Sequence, residues 1–124
     1  MRSIAKGTFT ISLQVGDPTG RQFIEVDDVL VDTGTTYSMF PESTLARLGI
    51  EHHGYQRFEL ADNRIVEYPV GEARIRLQGD ELTMLVAFAP DNTGPLLGAT
   101  ALELFGLSGD PVNRRLVPIP ALLK

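Results

Sequence analysis

The chain has 124 residues, 16 acidic and 11 basic side chains, a formal net charge of −5 and no cysteine. That length predicts one domain spanning residues 1–124, so a site built from two similar halves needs a second chain. The lack of cysteine excludes disulfides, thiol nucleophiles and cysteine-type zinc sites, and the acidic balance argues against a nucleic-acid partner, which selects a basic face.

The amino-terminal residues 1–7 (MRSIAKG) lack the apolar run of a signal peptide. No stretch of the sequence approaches the roughly 18 consecutive apolar residues that a membrane span requires. We therefore expect a soluble, cytoplasmic protein without a membrane partner.

Strand-like runs separated by turn residues begin close to the amino terminus. Residues 7–15 (GTFTISLQV) alternate apolar and polar side chains, which predicts a strand, and residues 16–20 (GDPTG) predict a tight turn. Residues 21–31 continue as a second strand, and its apolar end predicts entry into the core. Residues 41–48 (PESTLARL) predict a short helix, because proline suits the first turn and Gly49 suits the left-handed position after the last.

The second half of the chain predicts a hairpin, further strands and one more helix. Residues 55–60 and 65–70 are strand-like, and residues 61–64 (ADNR) predict a β-hairpin turn whose Asp-Asn tip accepts positive φ. The remaining predicted elements are strands at 73–77, 82–88 and 115–119, a helix at 99–105 closed by Gly106, and a turn at 110–113. Core positions are predicted for the helix residues Leu102, Leu104 and Phe105. Many short strands with one or two short helices predict an all-β fold, a small barrel or a sandwich.

For two residue pairs outside these elements we expect structural and not catalytic roles. His52 and His53 are expected in an exposed turn, because adjacent side chains diverge and no cluster of metal ligands lies near them in the sequence. The apolar tail residues Leu122 and Leu123 have little reason to be exposed on a monomer. We expect them either in a dimer interface or against their own protomer.

The chemistry of the sequence centres on Asp32, which follows the apolar end of the second strand and precedes Thr33 and Gly34. A carboxylate at that place costs free energy to bury alone, and Gly34 permits a sharp turn that brings backbone N–H groups near it. Two such carboxylates a few Å apart share one proton. The ionised carboxylate can then activate a water, and the protonated one can polarise a carbonyl.

A family resemblance covers residues 7–119. The segment 31–36 (VDTGTT) resembles the active-site signature of aspartic peptidases, and the hairpin around 61–64 lies where that family has its flap. A second family mark, two apolar residues and a glycine before a short helix, is matched by Leu96, Leu97 and Gly98. The order and spacing of these features resemble the retropepsin-like branch, the single-domain retroviral type with bacterial relatives.

This resemblance implies a small closed β-barrel of the acid-protease type that works as a C2 homodimer. It implies an aspartic endopeptidase that acts on peptide or protein substrates without metal or cofactor. Asp32 would be the catalytic carboxylate, Thr33 would tie the two active-site loops together across the dimer axis, and Gly34 would present its backbone to the substrate. Thr35 replaces the family's usual alanine, and a hydroxyl there can donate to the carboxylate and favour its charged form, which predicts an acid-shifted optimum.

The resemblance also implies substrate-binding positions in the cleft and the flap. These are Thr36, Ala61, Asp62 and Asn63. The sequence departs from the retroviral pattern at both places. Thr36 and Tyr37 stand where the retroviral enzymes carry acidic residues that grip the substrate backbone, and the flap tip has Asp62 and Asn63 in place of a glycine-rich stretch.

Other interpretations of the motif stay open at this point. A non-catalytic module of the same fold, used for dimerisation or for holding a peptide, would keep the motif without turnover, and Asp32 could also simply cap a turn. The segment 32–38 (DTGTTYS) further resembles the phosphate-binding loop of the actin, sugar-kinase and heat-shock chaperone superfamily. That fold needs two large lobes and further motifs, which 124 residues do not supply.

Overall fold

The computed structural model describes residues 8–120 and 123, and this part of the chain consists mostly of β-strands. The strands are β1 (Phe9–Gly16), β2 (Phe23–Val31), β3 (Ser38–Pro41), β4 (Gly54–Glu59), β5 (Ile65–Leu77), β6 (Asp80–Ala89), β7 (Leu96–Leu97), β8 (Leu107–Asp110) and β9 (Arg115–Pro118). Two short helices, α1 (Glu42–Arg47) and α2 (Ala99–Phe105), complete the described elements. The predicted mostly-β fold with short helices is confirmed.

Seven strands form one sheet in the order β1-β2-β7-β3-β6-β5-β4, and β1 also pairs with β5. The pairings therefore lead from β1 through five other strands and back to β1, while β4 lies at the edge. The pairs β2–β7 and β3–β6 are parallel, whereas β1–β2, β4–β5 and β5–β6 are antiparallel. Strands β8 and β9 form a separate two-stranded sheet.

The burial of β2 changes along its length in the way that positions the site. All of its first six residues are exposed or half-buried, whereas Val29, Leu30 and Val31 are all buried. Successive side chains of a strand point to opposite faces of the sheet, so three buried residues in a row mean that both faces are covered at this end, where β2 pairs with β1 and β7. The prediction that this strand enters the core just before Asp32 is confirmed. The largest fully buried side chains around it include Phe9, Phe40, Leu45, Ile75 and Leu97.

Both predicted helices are present and end as their glycines suggest. Gly49 and Gly106 have φ of +70° and +67°, the left-handed region that glycine enters without a steric penalty. In α2, Leu102 and Phe105 are buried as predicted, but the expectation that Leu104 is a core residue is wrong, because its side chain is 57% exposed. A two-turn helix can bury only one face, and Leu104 lies on the other.

The strand boundaries in the second half of the chain differ from those predicted. Residues 65–70 and 73–77 belong to one strand, β5, which runs through Gly71 without a break. A side chain at position 71 would clash, because a Cβ there would lie 2.7 Å from the Glu51 carbonyl oxygen. The short strands β3 and β8 were not predicted, because four residues are too few to show an alternating pattern.

No helix among residues 8–120 and 123 is long and apolar enough to cross a membrane. Residues 1–7, on which the signal-peptide prediction depends, and Leu122 lie outside the described residues. Leu123 is 97% exposed, so packing against its own protomer is wrong for that side chain.

Candidate active site

Asp32 is the first residue after β2, at the point where the buried end of that strand reaches the surface. Its backbone N–H donates to the Leu97 carbonyl oxygen over 3.1 Å, and its own carbonyl oxygen accepts from the Thr35 N–H over 3.3 Å. The first bond fixes Asp32 to β7, and the second closes a tight turn over residues 32–35. The backbone that carries the carboxylate is therefore held from both sides.

The Asp32 carboxylate is half-buried and accepts two hydrogen bonds from its own loop. The Gly34 N–H donates to Oδ1 over 2.9 Å, and the Thr35 hydroxyl donates to Oδ2 over 3.2 Å. A Cβ at Gly34 would lie 3.3 Å from Oδ1, a tight contact that glycine avoids. The carboxylate is thus oriented by two donors on one chain while part of its surface stays accessible to a ligand.

The Leu-Leu-Gly segment supports this loop from beneath. Leu96 and Leu97 form β7 and pair in parallel with Leu30 and Val31 at the end of β2. Both leucines are buried, so the pairing is also a part of the core. The Leu-Leu-Gly segment lies far downstream of Asp32 in the sequence. In the fold it is the immediate neighbour of the strand that leads to Asp32.

Gly98 continues this support where the chain leaves β7 for α2. A Cβ at this position would lie 2.5, 2.6 and 2.8 Å from the carbonyl oxygens of Tyr37, Thr35 and Thr36. The Gly98 N–H donates to the hydroxyl of Ser38 over 3.0 Å, and Ser38 is a buried polar residue. Only glycine allows the two backbone segments to approach this closely.

The first turn of α2 completes the connection to the Asp32 loop. The Ala99 N–H donates to the Thr35 carbonyl oxygen over 2.6 Å, and the Thr100 N–H donates to the Thr36 carbonyl oxygen over 3.2 Å. These are amino-terminal N–H groups of the helix, which have no partner within the helix itself. The loop and the helix therefore satisfy each other's backbone groups, and the position of the carboxylate depends on both.

A cavity of about 370 Å³ lies between the Asp32 loop and the hairpin formed by β4 and the first part of β5, residues 54–70. Thr35 contributes to its wall from the loop side. The hairpin and neighbouring strands contribute mainly apolar and aromatic residues, among them Tyr37, Met39, Phe58, Leu60, Ala61, Tyr68 and Leu96. A concave, mostly apolar space beside a held carboxylate is the kind of site that binds a peptide side chain.

The residues predicted to bind substrate are not all at this cavity. Ala61 lines it, whereas Asp62 and Asn63 lie exposed at the hairpin tip. Thr36 lines a second cavity of about 280 Å³, on the side of α2. The predicted positive φ at the tip is found at Asn63, with a φ of +69°.

Asp62 organises the hairpin tip through Arg64. Its Oδ1 accepts from the Arg64 N–H over 3.1 Å, and its Oδ2 accepts from Arg64 Nε over 2.7 Å. The backbone N–H of Arg64, followed by its side-chain bond, lowers the pKa of the Asp62 carboxyl below its ordinary value. The tip is therefore a turn held by an ionised aspartate.

The aromatic residues Tyr37, Phe58 and Tyr68 were not predicted to line a cavity. Phe58 pairs with Val66 across the hairpin, and Tyr68 pairs with Gln56, so the two rings are diagonal neighbours on one face of the ladder. The predicted four-residue turn at 61–64 would pair Leu60 with Ile65, whereas the structure pairs Glu59 with Ile65. A register shift of one residue changes which side chains share a face, so the shared face of Phe58 and Tyr68 did not follow from the predicted turn. No sequence signal places Tyr37 opposite that face.

The two histidines lie away from the Asp32 loop. Both are exposed, as predicted for a turn after α1. The His52 ring contacts Tyr55 and Phe88 edge-on, and His53 Nε2 lies 3.9 Å from Glu72 Oε1. Within residues 8–120 and 123, no group of three or more histidine, aspartate or glutamate side chains is placed to hold a metal ion.

Comparison with known proteins agrees with this geometry. Among solved structures, the fold is similar to that of EIAV protease, determined in complex with the inhibitor HBY-793. The two share a TM-score of 0.56 and 20% sequence identity, over 86% of this chain and 95% of that one. The fold is therefore that of a retroviral-type protease. A profile of the aspartyl protease family matches residues 13–101, and the chain belongs to this family. The predicted retropepsin-like resemblance is confirmed, while the curated proteins contain no significant match.

Proposed function

We propose that this protein is an aspartic endopeptidase whose active site forms between two copies of the chain. The triplet Asp-Thr-Gly occurs once in the sequence, at residues 32–34. A twofold axis beside the Asp32 loop would bring two identical carboxylates together, because a C2 interface places the same residues opposite each other. On this proposal residues 1–124 form one domain, and the pairing of β1 with β5 closes its sheet into a small barrel.

The proposed reaction uses the two Asp32 carboxylates with one shared proton, as in other aspartic proteases. The ionised carboxylate takes a proton from a water, and the water oxygen forms a bond to the scissile carbonyl carbon. The protonated carboxyl donates its proton to the carbonyl oxygen, so a neutral tetrahedral diol forms. The carboxyl that took the water proton then donates it to the amide nitrogen, while the other carboxylate takes a proton from a diol hydroxyl. The C–N bond breaks, an acid and an amine are released, and the pair again holds one proton.

Three residues beside Asp32 take supporting roles in this proposal. Thr33 is exposed in the protomer, which suits a hydroxyl that bonds across the dimer axis. Gly34 and Thr35 donate to the carboxylate over 2.9 and 3.2 Å, and such donors favour its ionised form. The substrate would lie between this loop and the hairpin, with a side chain in the cavity that Ala61 lines and with Thr36, Asp62 and Asn63 towards its flanks.

The observation that supports the proposal most directly is the pair of donors on a single half-buried carboxylate, one of which, the Thr35 hydroxyl, belongs to a residue that also lines an apolar cavity. A turn cap explains the donors but not the cavity, and a peptide-holding module explains the cavity but not the oriented carboxylate. Family membership favours the catalytic interpretation over both.

A peptide library incubated from pH 3 to 8 with wild type and with Asp32→Asn tests the proposal. We expect cleavage by wild type and none by Asp32→Asn, with sedimentation showing a dimer at every pH where cleavage occurs. Cleavage that survives the substitution would assign the activity to another mechanism. Cleavage by a strictly monomeric species would exclude the shared site.

Mixing the two proteins tests the shared site more sharply. If each site needs two intact Asp32 residues, an equal mixture allowed to exchange subunits keeps about one quarter of the activity of the same total concentration of wild type, because random pairing makes that fraction of intact dimers. A retained activity of one half would mean that each chain works alone.

A further inference from the structure

Three aromatic rings connect the Asp32 loop to the hairpin. The Tyr37 ring, at the end of the loop, meets the Phe58 ring of β4 edge-on, with centroids 5.1 Å apart and an interplanar angle of 88°. Phe58 in turn lies 5.8 Å from the Tyr68 ring of β5, tilted by 39°. Edge-on contacts of this kind add to the stabilisation from buried area. The rings therefore form a continuous contact from the loop to both strands of the hairpin.

These rings are also walls of the cavity beside Asp32. All three line it, together with Thr35, whose hydroxyl donates to the Asp32 carboxylate. Tyr37 also lines the second cavity on the side of α2, so it stands between the two. The distance between hairpin and loop, and with it the size of the space open to a substrate side chain, depends on where the Tyr37 and Phe58 rings meet.

The hairpin lies at the edge of the sheet, where a contact of this kind affects its stability. Strand β4 is the edge of the seven-stranded sheet and pairs with β5. Four of its six residues are exposed, and Phe58 is one of the two that are half-buried. Edge strands with few buried side chains open at low free-energy cost, so a single ring contact changes the fraction of closed hairpins measurably.

We propose that Tyr37 is a positioning residue that holds the hairpin over the active site through Phe58. The inference rests on the proposed function for its kinetic consequence, but the contact itself can be tested without any substrate. A substrate binds to the closed hairpin, so a smaller closed fraction weakens its apparent affinity. Removal of the ring therefore acts mainly on KM, whereas loss of a group that reacts acts on kcat.

Hydrogen exchange of the hairpin amides, residues 54–70, tests the contact directly. We expect Tyr37→Leu to speed exchange there by about three- to tenfold, the range that one aromatic pair contributes. Tyr37→Phe keeps the ring and should exchange like wild type. Phe58→Leu removes the same contact from the hairpin side and also the contact with Tyr68. It should therefore speed exchange at least as much as Tyr37→Leu, and it covers the case that one variant fails to fold.

Tyr55→Leu is the matched control on the same strand. Tyr55 is 60% exposed and its ring contacts His52. It is three residues from Phe58, so the two side chains point to opposite faces of the strand. Exchange in residues 54–70 should stay within twofold of wild type, as a rough limit for the loss of an exposed ring. Equal acceleration by Tyr55→Leu and Tyr37→Leu would overturn the proposal, because any lost ring would then loosen the hairpin.

Kinetics on a cleaved peptide give the second test. We expect Tyr37→Leu to raise KM by at most the three- to tenfold change in the opening equilibrium of the hairpin, with kcat within twofold of wild type, and Tyr37→Phe to keep the wild-type KM. Unchanged KM and unchanged exchange in Tyr37→Leu would overturn the inference and leave the protease proposal intact. If wild type cleaves no peptide, the protease proposal fails, and the exchange experiment alone decides whether Tyr37 holds the hairpin.

Discussion

The backbone N–H of Ala99 donates to the carbonyl oxygen of Thr35 over 2.6 Å, and this bond joins the start of α2 to the loop that carries Asp32. Residue 98, just before it, has no room for a side chain, because three backbone carbonyl oxygens of the loop lie within 2.8 Å of the place that a Cβ would occupy. Backbone carbonyl groups cannot move away from an added methyl group as the end of a flexible side chain can. The spacing between α2 and the loop is therefore set by a glycine.

Gly98→Ala is expected to lower the free energy of unfolding by about 1–3 kcal/mol, the usual cost of forcing a methyl group into a packed place. Because the loop must shift to admit it, kcat for peptide cleavage should fall as well. Thermal unfolding followed by circular dichroism and a kinetic assay at one pH measure both effects.

Gly54→Ala is the control for this change, since a Cβ there would meet its nearest atom, Val70 Cγ2, at 4.0 Å. We expect this variant to unfold close to the wild-type temperature. The same loss of stability in both variants would show that the carbonyl oxygens around Gly98 are not the cause.

Thr35→Ala is expected to lower kcat for peptide cleavage by about two- to tenfold. The Thr35 hydroxyl donates to Asp32 Oδ2 over 3.2 Å, and it is one of the two donors that orient the carboxylate. The loss of one hydrogen bond costs about 0.5–1.5 kcal/mol, which corresponds to that range. Thr35→Ser keeps the hydroxyl and should keep kcat close to that of wild type. An unchanged kcat in Thr35→Ala would remove this role for the hydroxyl.

How far the site could be predicted from sequence depends on the range of each interaction. Asp32, Gly34 and Thr35 are within four positions of one another, so their hydrogen bonds follow from a local turn that the triplet Asp-Thr-Gly specifies. The Leu-Leu-Gly segment lies more than sixty residues downstream, and its place beside β2 was predictable only through the family resemblance. Nothing in its composition specifies a parallel pairing with Leu30 and Val31.

The misses have a different physical origin. Leu104 was predicted as core from its apolar side chain, yet hydrophobicity does not fix which face of a two-turn helix is covered. Residues 65–70 and 73–77 were predicted as separate strands, whereas β5 continues through Gly71, which allows a close approach to the Glu51 backbone. The contact of Tyr37 with Phe58 joins two segments whose relative position depends on the whole sheet, and such long-range packing has no local sequence pattern.

Asp17→Asn is expected to destabilise the protein at neutral pH and to flatten the dependence of its stability on pH. The Asp17 carboxylate accepts from the Thr19 hydroxyl and from the backbone N–H groups of Thr19, Arg21 and Gln22 in the β1–β2 turn. The Thr19 hydroxyl first, and then the Gln22 N–H, lower the pKa of Asp17 below its ordinary value of 3.8.

The sign of the effect follows from this lowered pKa. An ionised Asp17 stabilises the fold fully above the ordinary carboxyl pKa, and this contribution is lost as the pH falls through the lower pKa of the folded state. Urea midpoints at pH 7 and at pH 3 should therefore differ less in Asp17→Asn than in wild type. Asp80→Asn, at the start of β6, is the control for loss of an exposed charge. Equal pH dependence in wild type and Asp17→Asn would contradict the prediction.

Leu123→Lys is expected to weaken the proposed homodimer by about tenfold or more, since burial of a leucine side chain contributes roughly 1.5–3 kcal/mol. Leu123 is 97% exposed in the protomer, and the proposed homodimer would bury it between copies. Sedimentation equilibrium of wild type and variant at neutral pH measures the dimer Kd directly. Val112→Lys is the matched control, because Val112 is 87% exposed but lies in the β8–β9 turn. If Leu123→Lys and Val112→Lys leave the Kd equally unchanged, the carboxyl-terminal tail takes no part in the dimer, and the two Asp32 loops must be brought together by other surfaces.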